Sequence, residues 1–146
     1  MCPVEIRNLT VADYDAVIRL WERAGLPFKP KGRDSEHQIK QQMTAFPDFF
    51  IGSFHNGDLV GVVVGSYDGR MKGWINRLAV DPRYRRKGVG RALITAVEEA
   101  LEKHGATIFC ALIETLNEES LSLFRKSRYV VHQDVLYVTK RKREDV

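Results

Sequence analysis

Apolar and polar residues alternate over residues 4–9, the two-residue period of a half-buried strand. Thr10 and Asp13, three residues apart, form a capping-box pattern that opens a helix. Ala12, Ala16, Val17, Leu20 and Ala24 continue at helical spacing until Gly25-Leu26-Pro27 ends the run. Residues 28–33, with Pro30 and Gly32, read as a loop, and a second helix is predicted from Asp34 or Ser35 through Met43, stopping before Pro47. Residues 49–54 are β-rich, Asn56-Gly57 is a two-residue hairpin turn, and residues 59–67 are apolar and β-branched. Asp68-Gly69 marks another turn, and residues 72–80 return as a strand. From Gly88 the period changes to 3.6: Val89, Ala92, Leu93, Ala96, Val97, Ala100 and Leu101 share one helical face, with Gly105 as the C-terminal cap. A buried strand over 107–113, a helix over 117–126 and a final strand or kinked pair within 129–139 complete the pattern. The order strand–helix–helix–strand–strand–strand–helix–strand–helix–strand predicts an α/β fold whose hairpins are antiparallel and whose crossover around Gly88 is parallel.

Composition narrows this picture. A chain of 146 residues with 44% hydrophobic content fits a single domain over residues 1–146, with material for a real core. The 29% charged content argues against disorder, and the apolar runs are too short to cross a bilayer. No apolar stretch of signal-peptide length follows a basic start, so the expected location is the cytosol. Cys2 and Cys110 lack CxxC spacing and offer neither a disulfide framework nor a zinc site; Cys110 reads as a small buried hydrophobe, and Cys2 sits beside the terminus. His37, His55, His104 and His132 show no metal spacing, and His104 beside Gly105 marks a helix end. The net charge of +4 is concentrated in Arg83, Arg85, Arg86, Lys87 and Arg91 and in Lys140 to Arg143, clusters that attract phosphate on nucleic acid or on a small ligand.

The first cluster lies in the most informative stretch, residues 78–93. A strand ends at Asp81-Pro82, a basic loop follows, and a helix begins at Gly88 and Gly90. The first N–H groups of a helix have no internal partner, and the helix dipole makes that end electropositive. Glycines admit positive φ and clear the approach, so this junction is an anion cradle suited to a pyrophosphate, reinforced by Arg85, Arg86 and Lys87. No GxxxxGK[ST] is present, and Leu93 stands where a dinucleotide fingerprint needs its third glycine or alanine.

Arg85-Arg86-Lys87-Gly88-Val89-Gly90, preceded by Leu78-Ala79-Val80-Asp81-Pro82, resembles the hallmark [R/Q]-x-x-G-x-[G/A] and the strand end of the GNAT superfamily of N-acetyltransferases. The resemblance covers essentially the whole chain and is strongest to small bacterial and archaeal members that share Leu20-Trp21-Glu22-Arg23 and Tyr67-Asp68-Gly69. It implies an α/β fold of α+β type, with a mixed, mainly antiparallel sheet of about six or seven strands flanked by about four helices. It also implies acetyl-CoA as co-substrate. Backbone groups of Leu78 and Val80 would pair with the pantetheine arm as though it were an added strand, with Ala79 between them. Arg86, Lys87, Gly88, Val89, Gly90 and Arg91 would hold the pyrophosphate through their amides, with Arg85 nearby. Asn117 matches the family asparagine that contacts the cofactor, and it also reads as a helix N-cap.

The resemblance thins at the catalytic groups. Phe124 stands where many members carry a proton-donating tyrosine, Arg128 replaces a usual glycine, and Tyr129 fills a structural aromatic position. Transfer by positioning, with solvent as the acid, is then the expected chemistry. Glu114, at the end of the fifth strand, is the candidate base, although a solvated strand-end glutamate is the plainer reading. Asn76 can bind a water but cannot act as a base. Tyr67 and Asp68 fit an acceptor wall, with a turn role for Asp68. Trp21 and Trp74 read as core aromatics, Phe28 as an acceptor-site residue, and Lys140 to Arg143 as a solvated end. The leading expectation is acetyl-CoA-dependent N-acetylation of a small amine or a protein amine, without a metal or a membrane partner. The alternative is an acetyl-CoA-binding module with little turnover, and nucleic-acid binding ranks last because no aromatics interleave the basic clusters. Homodimers are common among similar proteins, but no feature of this sequence demonstrates one.

Overall fold

In a computed structural model, residues 4–146 are described, so Cys2 lies outside the described part. Strands β1 (Glu5–Asn8), β2 (Phe50–His55), β3 (Asp58–Tyr67), β4 (Lys72–Val80) and β5 (Ile108–Ala111) form one sheet in the spatial order β1-β2-β3-β4-β5. The first three pairings are antiparallel, and β4 pairs with β5 in parallel. Helices α1 (Tyr14–Ala24) and α2 (Glu36–Ala45) precede β2, α3 (Val89–Lys103) makes the crossover from β4 to β5, and α4 (Glu118–Lys126) follows β5.

Local signals explain these boundaries. The Thr10–Asp13 capping box forms, with the Thr10 amide donating to Asp13 Oδ2 at 2.8 Å. Ser35 caps α2 through the Gln38 amide, and Gly25 closes α1 in the left-handed region. The β2–β3 turn places Asn56 and Gly57 at φ 51° and 84°, the pair of positive values that a tight hairpin twist demands.

Each sheet face carries its own core. Val17, Leu20 and Trp21 of α1, with Ile39 and Met43 of α2, pack on Phe50, Phe54, Val62, Val64 and Ala79. On the other face Val89, Leu93, Ile94, Val97 and Leu101 of α3, with Phe124 of α4, cover Ile51, Val63 and Ile75. The central strand β3 is therefore apolar on both sides, which accounts for its unbroken hydrophobic run. Helix α3 rides close to the sheet because glycines face it. A Cβ on Gly61 would stand 2.8 Å from Leu93 Cδ1, one on Gly65 2.8 Å from Val97 Cγ2, and one on Gly73 2.8 Å from Leu101 Cδ1. Trp21 is core, as expected, whereas Trp74 is half-buried and belongs to neither cluster, with Lys72 Nζ 5.7 Å from its ring centroid.

The end of the chain departs from expectation. No strand forms within residues 129–139, so the described sheet has five strands instead of six or seven. Val135, Leu136, Tyr137 and Val138 have β-forming side chains, yet they stay exposed. Such residues fit a pleated surface but do not create the partner that a ladder requires. The fifth strand is also shorter than the 107–113 reading, because β4 and β5 part after Ile75 and Ala111.

Asp81 fastens the far end of β4. Its buried carboxylate accepts from the Arg83 amide, from Arg83 Nε and Nη2, and from Arg23 Nε of α1, while its amide donates to the Val60 carbonyl. Hydrogen bonding from Arg83, opposed by desolvation and aided by Arg23, holds its pKa at about 2, against an ordinary 3.8. A depression of that size corresponds to about 2 kcal/mol, discounted toward 1 because Arg83 itself is solvated. A carboxylate whose pKa is lowered by folding stabilises the protein above its unfolded pKa and loses that effect as pH falls through the folded value. We therefore expect Asp81→Asn to cost about 1–2 kcal/mol at pH 7, with its stability curve meeting that of the wild type between about pH 4 and 2. Urea melts across that range measure the convergence. Gly61→Val drives a side chain into Leu93 and Val89, and should cost about 1–3 kcal/mol in the same melts.

Candidate functional site

The site is an opening in the sheet. Pairing between β4 and β5 runs from Lys72↔Ile108 to Ile75↔Ala111 and stops, while β4 continues to Val80. Over Asn76–Val80 the strand keeps β3 on one side and has no strand on the other. The register against β3 also shifts here: Val62 faces Ala79 and Val64 faces Asn76, so Arg77 and Leu78 together oppose Val63. This is a β-bulge, and Arg77 within it has φ 54°. Leu78 and Val80 pack against the α3-side core and Ala79 against the α1-side core, which leaves the backbone as the part of this edge available to a ligand.

The glycine junction closes one end of the opening. Asp81 caps a short 3-10 turn at Pro82–Tyr84, and the chain then passes through Arg86 at φ 61° and Gly88 at φ 83° before α3 begins at Val89. Nothing lies within 4 Å of the position a Gly88 Cβ would take, so the helix start faces open space. Gly90 serves packing as well: a Cβ there would meet Leu123 Cδ2 of α4 at 2.8 Å and Val80 Cγ2 of β4 at 3.7 Å. One residue thus joins the strand end, the α3 N-terminus and α4.

The cations divide into two groups. Arg85 is committed to structure, donating from Nη2 to the Ala24 carbonyl at 3.3 Å with Nη1 3.6 Å from Glu119 Oε2. Arg86, Lys87 and Arg91 are exposed beside the helix start, with Lys87 Nζ 5.6 Å from the Tyr84 ring centroid. Tyr84 is anchored in turn by His55 Nδ1 at 2.9 Å. Asn117 caps α4, its Oδ1 accepting from the Ser120 amide at 3.1 Å. Glu114 is an exposed residue in the turn after β5, and its carbonyl accepts from the Asn117 amide.

Phe124 is buried and meets Tyr129 edge to face at 5.0 Å. The Tyr129 hydroxyl donates to Glu98, and burial together with that carboxylate pushes its pKa far above that of an ordinary phenol. Neither ring supplies an acid at the opening. Asn76 Nδ2 donates to Ser66 Oγ at 3.3 Å, and Asp68 holds the Arg70 and Lys72 amides, the turn role expected of it. Phe28 packs near Trp21, with ring centroids 6.5 Å apart. Cys110 is half-buried, and desolvation raises its pKa. Among the described residues, no three His, Cys, Asp or Glu side chains group as a metal site, and no helix is long and apolar enough to cross a membrane.

The sequence marks Asp81 as a strand end and gives Arg77 no role, while Arg23 enters only within Leu20-Trp21-Glu22-Arg23. An aspartate before Pro-Arg is a cap signal that was available. The tie to Arg23, a residue 58 positions away, was not.

Comparisons with known proteins agree with this geometry. The profile described as the Acetyltransferase (GNAT) family matches residues 8–128. Acetyltransferase SG1711 of Sodalis glossinidius is 34% identical over 142 residues, spanning 97% of this chain and 98% of its own length. Acetyltransferase ECA0875 of Pectobacterium atrosepticum is 34% identical over 126 residues, spanning 86% and 87%. Among solved structures, Ard1 of Thermoplasma volcanium superposes with a TM-score of 0.77 at 26% identity, covering 88% of this chain and 84% of that one. The PaiA N-acetyltransferase of Thermoplasma acidophilum in complex with coenzyme A shares the fold with a TM-score of 0.74 at 20% identity, covering 86% and 88%. The β4–β5 opening, the glycine-led α3 and the matched profile lead to one assignment: this chain belongs to the GNAT acetyltransferase family.

Proposed function

We propose that this protein transfers the acetyl group of acetyl-CoA to an amine by direct attack within a ternary complex. The observation that carries the reading is that β4 outlasts its pairing with β5, so that Asn76–Val80 presents an open edge beside the glycine-led start of α3. An extended amide-bearing chain such as a pantetheine arm can add to that edge through backbone hydrogen bonds. The amides from Arg86 to Arg91 and the exposed Arg86, Lys87 and Arg91 suit a pyrophosphate, and the open space at Gly88 admits it. Backbone groups at Leu78 or Val80 would orient the acyl carbonyl. Acetyl-CoA supplies the activated thioester.

The residues of this chain supply position and do little with protons. A neutral amine forms the new C–N bond as the C–S bond breaks; the amine proton leaves and the departing thiolate gains one. Phe124 has no proton to give, and the Tyr129 hydroxyl is held by Glu98 with its pKa raised, so we assign protonation of the thiolate to solvent. Glu114, exposed in the turn after β5, is our candidate for receiving the amine proton. The acceptor is a small amine or a protein amine, and the setting we infer is cytoplasmic. The buried Phe124 also favours a second reading, an acetyl-CoA-binding module with little turnover.

Calorimetric titration with acetyl-CoA separates these readings from any other. The double substitution Arg86→Glu, Lys87→Glu should weaken binding by about tenfold or more at low salt, with a smaller gap at high salt. Equal affinity in both proteins, or no binding at all, overturns the reading. Thiol release across a panel of primary amines and basic peptides then tests turnover. With no protein acid, kcat/KM should rise with pH until the amine is neutral and then remain level. A fall on the alkaline side near about pH 10 would instead reveal a phenol donor, and no release from any amine would favour the binding module.

A further inference from the structure

Arg77 is the least comfortable residue beside the opening. It holds φ 54° in the β4 bulge, a region that non-glycine residues seldom occupy, and its side chain leaves the strand toward the loop between α1 and α2. There the guanidinium lies 4.2 Å from the Trp21 ring centroid, and Nη1 donates to the Pro27 carbonyl at 2.7 Å. Nη2 stops 3.6 Å from Asp34 Oδ2, close enough for attraction and too long for a hydrogen bond. Both Nε and Nη2 are buried without a hydrogen-bond partner, and the side chain as a whole is only 21% exposed. A guanidinium with two shielded, unpaired donors is costly, since each forgoes water without gaining an acceptor.

The facing carboxylate has capacity to spare. Asp34 is buried, and its Oδ2 accepts from the Lys29 amide at 2.7 Å, which folds residues 29–34 into a compact loop. Nε and Nη2 form the edge of a guanidinium that engages a carboxylate in two parallel hydrogen bonds. An approach of about half an ångström by Asp34 brings Nη2 within hydrogen-bond reach from the 3.6 Å seen here. Arg77 therefore sits between the loop that carries Asp34 and the bulge that leads into Leu78–Val80.

We propose that Arg77 is a positioning residue that couples the two, so that acetyl-CoA on the open β4 edge draws the loop of residues 26–35 closed through the Arg77–Asp34 pair. The coupling rests on the acetyl-CoA reading above. A ligand that pairs with the strand fixes the bulge backbone, and the bulge sets where the guanidinium reaches. Closure gives Nη2 an acceptor and carries Phe28 and Lys29 with the loop. Because coupling free energy is reciprocal, a molecule that binds the closed loop also tightens acetyl-CoA.

Amide hydrogen exchange on the full chain, with and without saturating acetyl-CoA, tests this directly. In the wild type, acetyl-CoA should slow exchange within residues 26–35 by about fivefold or more. Arg77→Met keeps an unbranched side chain of similar reach but removes the guanidinium fork, and Asp34→Asn weakens the pair from the other side. In both, the slowing should be lost, and acetyl-CoA affinity measured by calorimetry should fall by about the same factor, because closure no longer contributes to binding. Arg77→Lys, a point charge without the fork, should recover only part of the slowing. If acetyl-CoA binds the wild type but leaves the loop's exchange unchanged, the coupling is overturned and the cofactor reading stands. The same holds if the folded variants keep the wild-type slowing, because Arg77 then serves structure alone. If acetyl-CoA does not bind the wild type, the cofactor reading falls and the coupling falls with it.

Discussion

Everything at the site depends on β4 staying extended after β5 has left it. A strand with one bare edge has lost half its ladder, and water competes for the exposed amides. Two devices hold it here. Pairing with β3 continues to Val80, and the buried Asp81 then ties together Arg83, Arg23 and the Val60 carbonyl. This tie fixes the strand end to α1 and sets the direction in which the basic loop departs. Remove the pairing beyond Ile75, or release the tie, and the glycine junction no longer stands beside an open edge.

The close seat of α3 follows from the same demand. A helix that begins at the strand end and crosses back over the sheet must pack tightly on β3 and β4, and Gly61, Gly65 and Gly73 make room for Leu93, Val97 and Leu101. Gly90 does the same for Leu123 of α4. The glycines of this chain thus have two distinct uses. Gly57 and Gly88 supply backbone conformations, while the sheet-facing set supplies clearance. Phe124 belongs to this packing layer, its ring buried in the core on the α3 side of the sheet.

Most of the fold was legible from period and punctuation. The capping box at Thr10, the Asn56-Gly57 turn and the switch to helical spacing at Gly88 each occur where the residues placed them. The glycine-led start of α3 was legible for the same reason, since a helix start after a glycine-bearing basic loop is a local feature. The last strand was misjudged because pairing is not local. Residues 135–138 have the side chains of a strand and lack a neighbouring edge to join. Trp74 was misjudged in a related way: whether a tryptophan on a strand is core depends on what packs over it, and Trp74 joins neither core.

Sequence by itself determined most of the elements and their order, the cluster of cations over residues 85–91 and the motif that marks the family, because these are local features of the chain. Only the tertiary structure decided that β4 and β5 separate after Ile75 and Ala111, that Arg85 is spent on Ala24 and Glu119 while Arg86 and Lys87 are exposed, and that Arg77 lies beside Asp34 of the α1–α2 loop. Those outcomes depend on residues tens of positions apart, brought together by two cores packing on opposite faces of one sheet. No local period encodes them.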